Sequence, residues 1–120
     1  MLESMAVGIE AFVGSNFNFA GDLFNLILDE VRAGAPAERL RALQLLGLDL
    51  VHAWMDAAPA GTNGYKYFGV LAGLPVGPPR LPQLPMPEDG ATDLKTSFTA
   101  FCAQARDMKV EMKMCSQTRS

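Results

Sequence analysis

Histidine and tryptophan each occur once in these 120 residues, and cysteine and tyrosine twice. A lone histidine, His52, with no cysteine or second histidine near it in sequence, makes a poor metal site. Two cysteines, Cys102 and Cys115, are too few for a disulfide framework and read as free thiols of a cytosolic protein. Cations are also scarce: ten Lys and Arg against thirteen Asp and Glu leave a net charge of −3. Phosphate neutralisation needs clustered Lys and Arg, so nucleic-acid binding is not expected. No apolar run reaches the roughly 18 residues that span a bilayer. The opening Met-Leu-Glu-Ser-Met has no basic stretch ahead of an apolar one, as a secretory signal would. The expectation is a cytoplasmic protein without membrane association, metal or cofactor.

What is present is apolar. Hydrophobic residues make up 49% of the chain and charged residues 19%, enough for one compact core. Met1 to Val7 reads as the end of a helix stopped by Gly8. Ile9-Glu10-Ala11-Phe12-Val13, bounded by Gly8 and Gly14, suits a short buried strand. Ser15 and Asn16 then offer helix N-caps, and Phe19, Leu23, Leu26, Ile27 and Val31 keep helical spacing up to Gly34, a C-cap.

Pro36 marks a second start, with Glu38 in the first turn. Leu40, Leu43, Leu46, Leu50 and Trp54 form a stripe widened by Leu45, Leu48, Val51 and Met55, which predicts burial on more than one side. This helix is expected to end before Pro59, with Gly61 to Gly64 as a loop. Tyr65 to Ala72 predicts a short helix ended by Gly73. Six prolines between Leu74 and Pro87 exclude helix and central strand there. A last helix is predicted from about Thr92 to Arg106, with Leu94, Phe98, Phe101 and Cys102 inside. Met108 to Ser120 has no clear cap and reads as a frayed tail. A lone apolar strand leaves both edges unpaired, so the pattern looks like a piece of a larger fold.

Two blocks resemble a known family. Val7-Gly8-Ile9-Glu10-Ala11-Phe12-Val13-Gly14-Ser15-Asn16-Phe17-Asn18-Phe19-Ala20-Gly21 is similar to the eighth strand and its exit in the N-acetylneuraminate lyase and dihydrodipicolinate synthase superfamily. Gly73-Leu74-Pro75-Val76-Gly77-Pro78-Pro79-Arg80-Leu81-Pro82 resembles the G-I-P-x-G-P-P-R-L-P ahead of that family's last helix, and the spacing between the blocks also matches. The second block favours the sialic acid lyase branch. The resemblance implies an α/β fold: the C-terminal fragment of a (β/α)8 TIM barrel, mostly helical, with one short barrel strand at about 9–14. Residues 1–34 would be the last βα unit, 35–107 a helical region containing the Pro-rich connection 74–87, and 108–120 a disordered tail.

The family is a class I aldolase that cleaves N-acetylneuraminate to N-acetylmannosamine and pyruvate through a lysine Schiff base. The resemblance places that lysine, its tyrosine proton shuttle and the carboxylate-binding loop upstream of Met1, so no catalytic residue is expected in this chain. Ser15, at the strand's C-terminal end where barrel active sites lie, would contact the sugar part of the substrate. Asn16 replaces the family's Thr, Phe17 and Phe19 its Tyr residues, and Ala11 a Gly. The implied partners are this small-molecule substrate in a full-length parent and further copies in a homo-oligomer. A dihydrodipicolinate synthase-like aldolase is the nearest enzymatic rival, and a non-catalytic helical interaction module is the reading from another class.

Other candidates carry plainer readings. Lys66, between Tyr65 and Tyr67, has the aromatic flanks of a desolvated nucleophile but sits on a helix outside the family's barrel, where a snorkelling lysine is expected. Gly61-Thr62-Asn63-Gly64-Tyr65-Lys66 lacks the spacing of a phosphate loop. Asn18 reads as a helix-start or supporting residue, adjacent Asp29 and Glu30 as solvated surface, and Arg80 as a tie between loop and body through backbone carbonyls. Met55 alone of the methionines falls in a helix stripe.

Overall fold

A computed structural model describes residues 1–58 and 62–116. Six helices follow in order: α1 Leu2–Ala6, α2 Phe17–Arg32, α3 Ala37–Asp56, α4 Gly64–Leu71, α5 Glu88–Asp107 and α6 Lys113–Ser116. Helix α3 is central and packs on α1, α2, α4 and α5. Its inward leucines, Leu43, Leu46 and Leu50, meet Leu23 and Ile27 of α2, Phe68 of α4, and Leu94, Phe98 and Phe101 of α5 in one core. Each fully buried side chain of this size stabilises the fold by about 1.5–3 kcal/mol before entropy is counted. Rings of Phe19, Phe68 and Phe98 stack in sequence across three helices, with centroids 4.9 and 5.1 Å apart.

The described residues contain no strand and no sheet; the sole pairing of that kind among them is an isolated parallel bridge between Thr62 and Leu84. The α/β reading, with a barrel strand at 9–14, is therefore corrected to an all-helical fold. The physical reason lies in the missing neighbours. Glu10 to Val13 make no backbone hydrogen bond among the described residues, and Ile9 and Val13 are exposed, Val13 completely. An apolar five-residue run between glycines is a buried strand only when other strands satisfy its edges. Here it is an extended connection between α1 and α2.

Four helices end in the same way. At Gly8, Gly34 and Gly73 the backbone turns to positive φ, and the following N–H reaches back five residues: Ile9 to Ser4, Ala35 to Glu30, Leu74 to Gly69. Each is a left-handed cap that satisfies otherwise orphaned carbonyls. Helix α5 uses the same bond, from Val110 to Ala105, but places Lys109 at φ 57°. That turn folds residues 108–116 back onto α2 and α5. Val110, Met112 and Met114 are buried there, and Cys115 is joined to Cys102 by a disulfide. So the segment expected to fray is packed as far as Ser116, and the two cysteines read as free thiols are paired. Residues 117–120 of the expected tail, and Gly61 of the expected loop together with residues 59 and 60 ahead of it, lie outside the described residues.

Helix α5 starts four residues before the predicted Thr92. Pro87 caps it, Glu88 and Asp89 occupy its first turn, and Gly90, which reads as a breaker, is buried inside it. The glycine is a packing requirement: a Cβ there would lie 2.6 Å from the Ala57 carbonyl oxygen and 2.9 Å from Met86 Sδ.

Candidate functional site

The Ser15 region is held by side chains that converge from three helices. Its backbone carbonyl accepts from the Tyr65 hydroxyl and from Asn18 Nδ2 at 3.0 Å, and Asn18 Nδ2 also donates to the Tyr65 oxygen at 2.7 Å. Tyr65 stands at the start of α4, with its ring against Phe19 and Trp54 at centroid distances of 5.0 and 5.8 Å. Trp54, near the end of α3, donates its Nε1–H to Asn16 Oδ1 at 3.1 Å. Tyr and Trp suit this place because each buries an apolar body while its polar tip finds a partner.

This arrangement revises the expected capping roles. Asn16 is the residue before α2, but its side chain caps no backbone N–H; it is committed to Trp54. Helix α2 then kinks at Ala20, whose φ −119° and ψ 24° leave the helical region. The residues of the first turn are positioned by the aromatic cluster rather than by a side-chain cap. Ser15 is exposed, and its hydroxyl makes no hydrogen bond among the described residues. The site thus offers one free hydroxyl, the Asn18 amide and a half-buried aromatic wall.

The other candidates are scattered. Lys66 is half-buried on α4, and its Nζ lies 3.5 Å from the Gly77 carbonyl in a solvent-exposed contact at the rim of a groove of about 170 Å³. That is the snorkelling geometry, and the groove is smaller than a sugar-sized pocket of roughly 300 Å³ or more. His52 is exposed on α3, and no hydrogen bond, ion pair or ring contact joins it to Ser15 or Lys66 among the described residues. Arg80 is exposed; its guanidinium makes no hydrogen bond or ion pair among the described residues, and its carbonyl accepts from Gln83 N–H at 3.1 Å in a local turn. Of the adjacent acidic pair, Asp29 faces Arg32 at the surface, whereas Glu30 is half-buried and bound by Arg39 through both carboxylate oxygens. Arg39 also donates to the Met108 carbonyl at 3.1 Å, so this pair clamps α2 and α3 to the end of α5. Among the described residues no group of three or more His, Cys, Asp or Glu could hold a metal ion, and no helix is long and apolar enough to cross a membrane.

An N-acetylneuraminate lyase of Danio rerio is 29% identical over 101 residues, which cover 84% of this chain and 33% of that protein. The chain therefore spans about a third of the length of the relative it matches. No family model matches, and no solved structure matches. The similarity is distant and partial, and it supports a relation to the aldolases.

Sequence reasoning marks Ser15 and allows Asn18 as a support, but misses Tyr65 and Trp54. Tyr65 drew notice only as a neighbour of Lys66, and Trp54 only as part of an apolar stripe. The available signal was the position of both: polar-tipped aromatics at the ends of helices facing an Asn-rich turn.

Proposed function

We propose that this chain is part of an N-acetylneuraminate lyase-like class I aldolase and supplies a sugar-contacting surface rather than imine-forming machinery. The parent reaction would be cleavage of N-acetylneuraminate to N-acetylmannosamine and pyruvate. The observation that carries this reading is the 29% identity spread over 84% of the chain. Its chemistry fits the site: the Ser15 hydroxyl is exposed and unengaged, and the Asn18 amide lies beside it on a rigid aromatic base. The four lysines are Lys66, half-buried at a rim, and the exposed Lys95, Lys109 and Lys113. None is enclosed as an imine-forming amine requires.

Two measurements on the purified chain test this. Titration with N-acetylmannosamine should move the amide resonances of Ser15 and Asn18, and Ser15→Ala should abolish the shifts. Borohydride trapping with pyruvate should leave the intact mass unchanged. Shifts absent at saturating sugar would remove the substrate-contacting role, and a stoichiometric pyruvate adduct would overturn the assignment of the imine elsewhere.

A second reading, a non-catalytic interaction module, draws on one specific feature. Leu45, Leu48 and Met55 are exposed on one face of α3, at spacings of three and seven residues, opposite the buried leucines. The wide stripe in the sequence therefore has an outer half left uncovered in this chain. Light scattering on dilution decides this: a stable oligomer that Leu48→Glu converts to monomer favours it, and a monomer at every concentration ends it.

A further inference from the structure

A second concavity lies apart from Ser15 and shares no lining residue with its cluster. It is a groove of about 670 Å³ where residues 109–116 return along α5, and both Cys102 and Cys115 line it. That volume suits a small peptide-sized molecule. Three cations line the same groove, Arg106, Lys109 and Lys113, and none forms an ion pair among the described residues. Two carboxylates are also present. Asp22 is occupied by backbone donors, accepting from Lys113 N–H at 2.7 Å and Leu23 N–H at 3.0 Å, and Glu111 is exposed.

The two sulfurs differ in access. Cys102 is buried within α5, and Cys115 is half-buried at the groove. Arg106 donates from Nε to the Cys102 carbonyl at 3.3 Å, which keeps the guanidinium over the turn that carries Cys102. Cys115 is the more accessible sulfur, so an incoming thiolate reaches it first and Cys102 is the sulfur displaced.

We propose that this groove is a thiol–disulfide exchange site for a small anionic thiol bearing carboxylates, with Cys115 taking the adduct. The thiolate of the incoming molecule attacks Sγ of Cys115, the Cys102–Cys115 bond breaks, and its electron pair leaves as the Cys102 thiolate. A second equivalent of thiol then displaces Cys115 as thiolate and departs as the small-molecule disulfide, which carries away the two-electron oxidation. Val110, Met112 and Met114 anchor the returning segment in the core beside the disulfide, so the mixed disulfide is expected to form on a folded chain. This site shares no residue with the Ser15 cluster and does not depend on the aldolase reading.

The test uses the oxidised chain with glutathione, 2-mercaptoethanol or cysteamine at fixed pH. Each rate is divided by that thiol's rate with a small uncharged disulfide, which removes differences in intrinsic reactivity. Glutathione should react about fivefold faster than 2-mercaptoethanol on this scale and cysteamine slower, as a cationic cleft concentrates anions. The preference should shrink in high salt and in the Lys109→Gln/Lys113→Gln variant, whose altered side chains are exposed. Peptide mapping of the trapped product should place the adduct on Cys115. Equal normalised rates for the three thiols would overturn the ligand class. An adduct on Cys102, or two free thiols that resist oxidation in the isolated chain, would overturn the site itself.

Discussion

The Tyr65 hydroxyl donates to the carbonyl oxygen of Ser15, fifty residues away in sequence, and Asn18 donates to both. The contact fixes the turn before α2 to the start of α4 without using the Ser15 side chain. Structure and the proposed substrate contact can therefore be tested separately at neighbouring atoms. Tyr65→Phe keeps the ring against Phe19 and Trp54 but leaves the Ser15 carbonyl with a weaker set of donors. It is expected to cost about 1 kcal/mol in denaturant unfolding. Ser15→Ala, which removes an exposed and unpaired hydroxyl, should change stability by less than about 0.5 kcal/mol. A loss for Ser15→Ala as large as that for Tyr65→Phe would show that the hydroxyl is part of the scaffold.

Gly64 governs how closely α4 can approach the end of α3. A Cβ at this position would lie 2.8 Å from Ala58 Cβ and would also clash with the Trp54 backbone carbonyl. Backbone cannot yield as a flexible side chain can, so Gly64→Ala should destabilise by about 1–3 kcal/mol. The same change at Gly21, where nothing lies within 4 Å and φ is not positive, serves as the control. There the added methyl replaces a flexible glycine inside a helix, and stability should hold or rise by up to about 1 kcal/mol. Thermal unfolding of the two variants side by side distinguishes close packing from a general intolerance of alanine.

How much of this was legible in the sequence depended on whether a feature is local. The four longer helices follow from apolar spacing, and α2 and α4 also from the glycines at their ends, because a left-handed cap is a property of a few adjacent residues. Ile9 to Val13 misled for the opposite reason. Its apolar run and flanking glycines describe a segment that pairs if neighbours exist, and the neighbours are no local property. The methionines inverted for a similar cause: Met55, in the stripe, is 53% exposed, whereas Met112 and Met114, in the expected tail, are buried. Their burial depends on the chain reversing at Lys109, a left-handed turn with no glycine to announce it. The same reversal brings Cys115 back to Cys102, so the disulfide was hidden along with it. At Ser15 the sequence marked the position, and the distant partners Tyr65 and Trp54 came only from packing.

That reversal at Lys109 yields a stabilising substitution. A lysine at φ 57° carries the steric cost of a Cβ in the left-handed region, while Gly8, Gly34 and Gly73 hold the equivalent turns without it. The Lys109 side chain makes no hydrogen bond or ion pair among the described residues that a glycine would lose. Lys109→Gly is expected to raise unfolding stability by about 0.5–1 kcal/mol, after the greater entropy of glycine in the unfolded chain is set against the relieved strain. A fall in stability would mean that the lysine contributes a contact worth more than its backbone strain.

Gln44 joins α1 to α3 by two bonds of opposite sense. Its Oε1 accepts from Leu2 N–H at 2.8 Å, and its Nε2 donates to the Glu3 carboxylate at 2.9 Å. The amide, with help from the backbone of Glu3, holds the carboxyl below its ordinary value of 4.5. A carboxylate depressed in the folded state stabilises that state at pH above its unfolded value. The contribution fades as the pH falls through the folded value. In the Gln44→Ala variant the Glu3 titration, followed by NMR of its side-chain carboxyl, should move up toward 4.5. The part of the acid-side stability loss that arises from Glu3 should vanish with it. An unchanged titration in Gln44→Ala would assign the depression to the backbone of α1 rather than to the tie with α3.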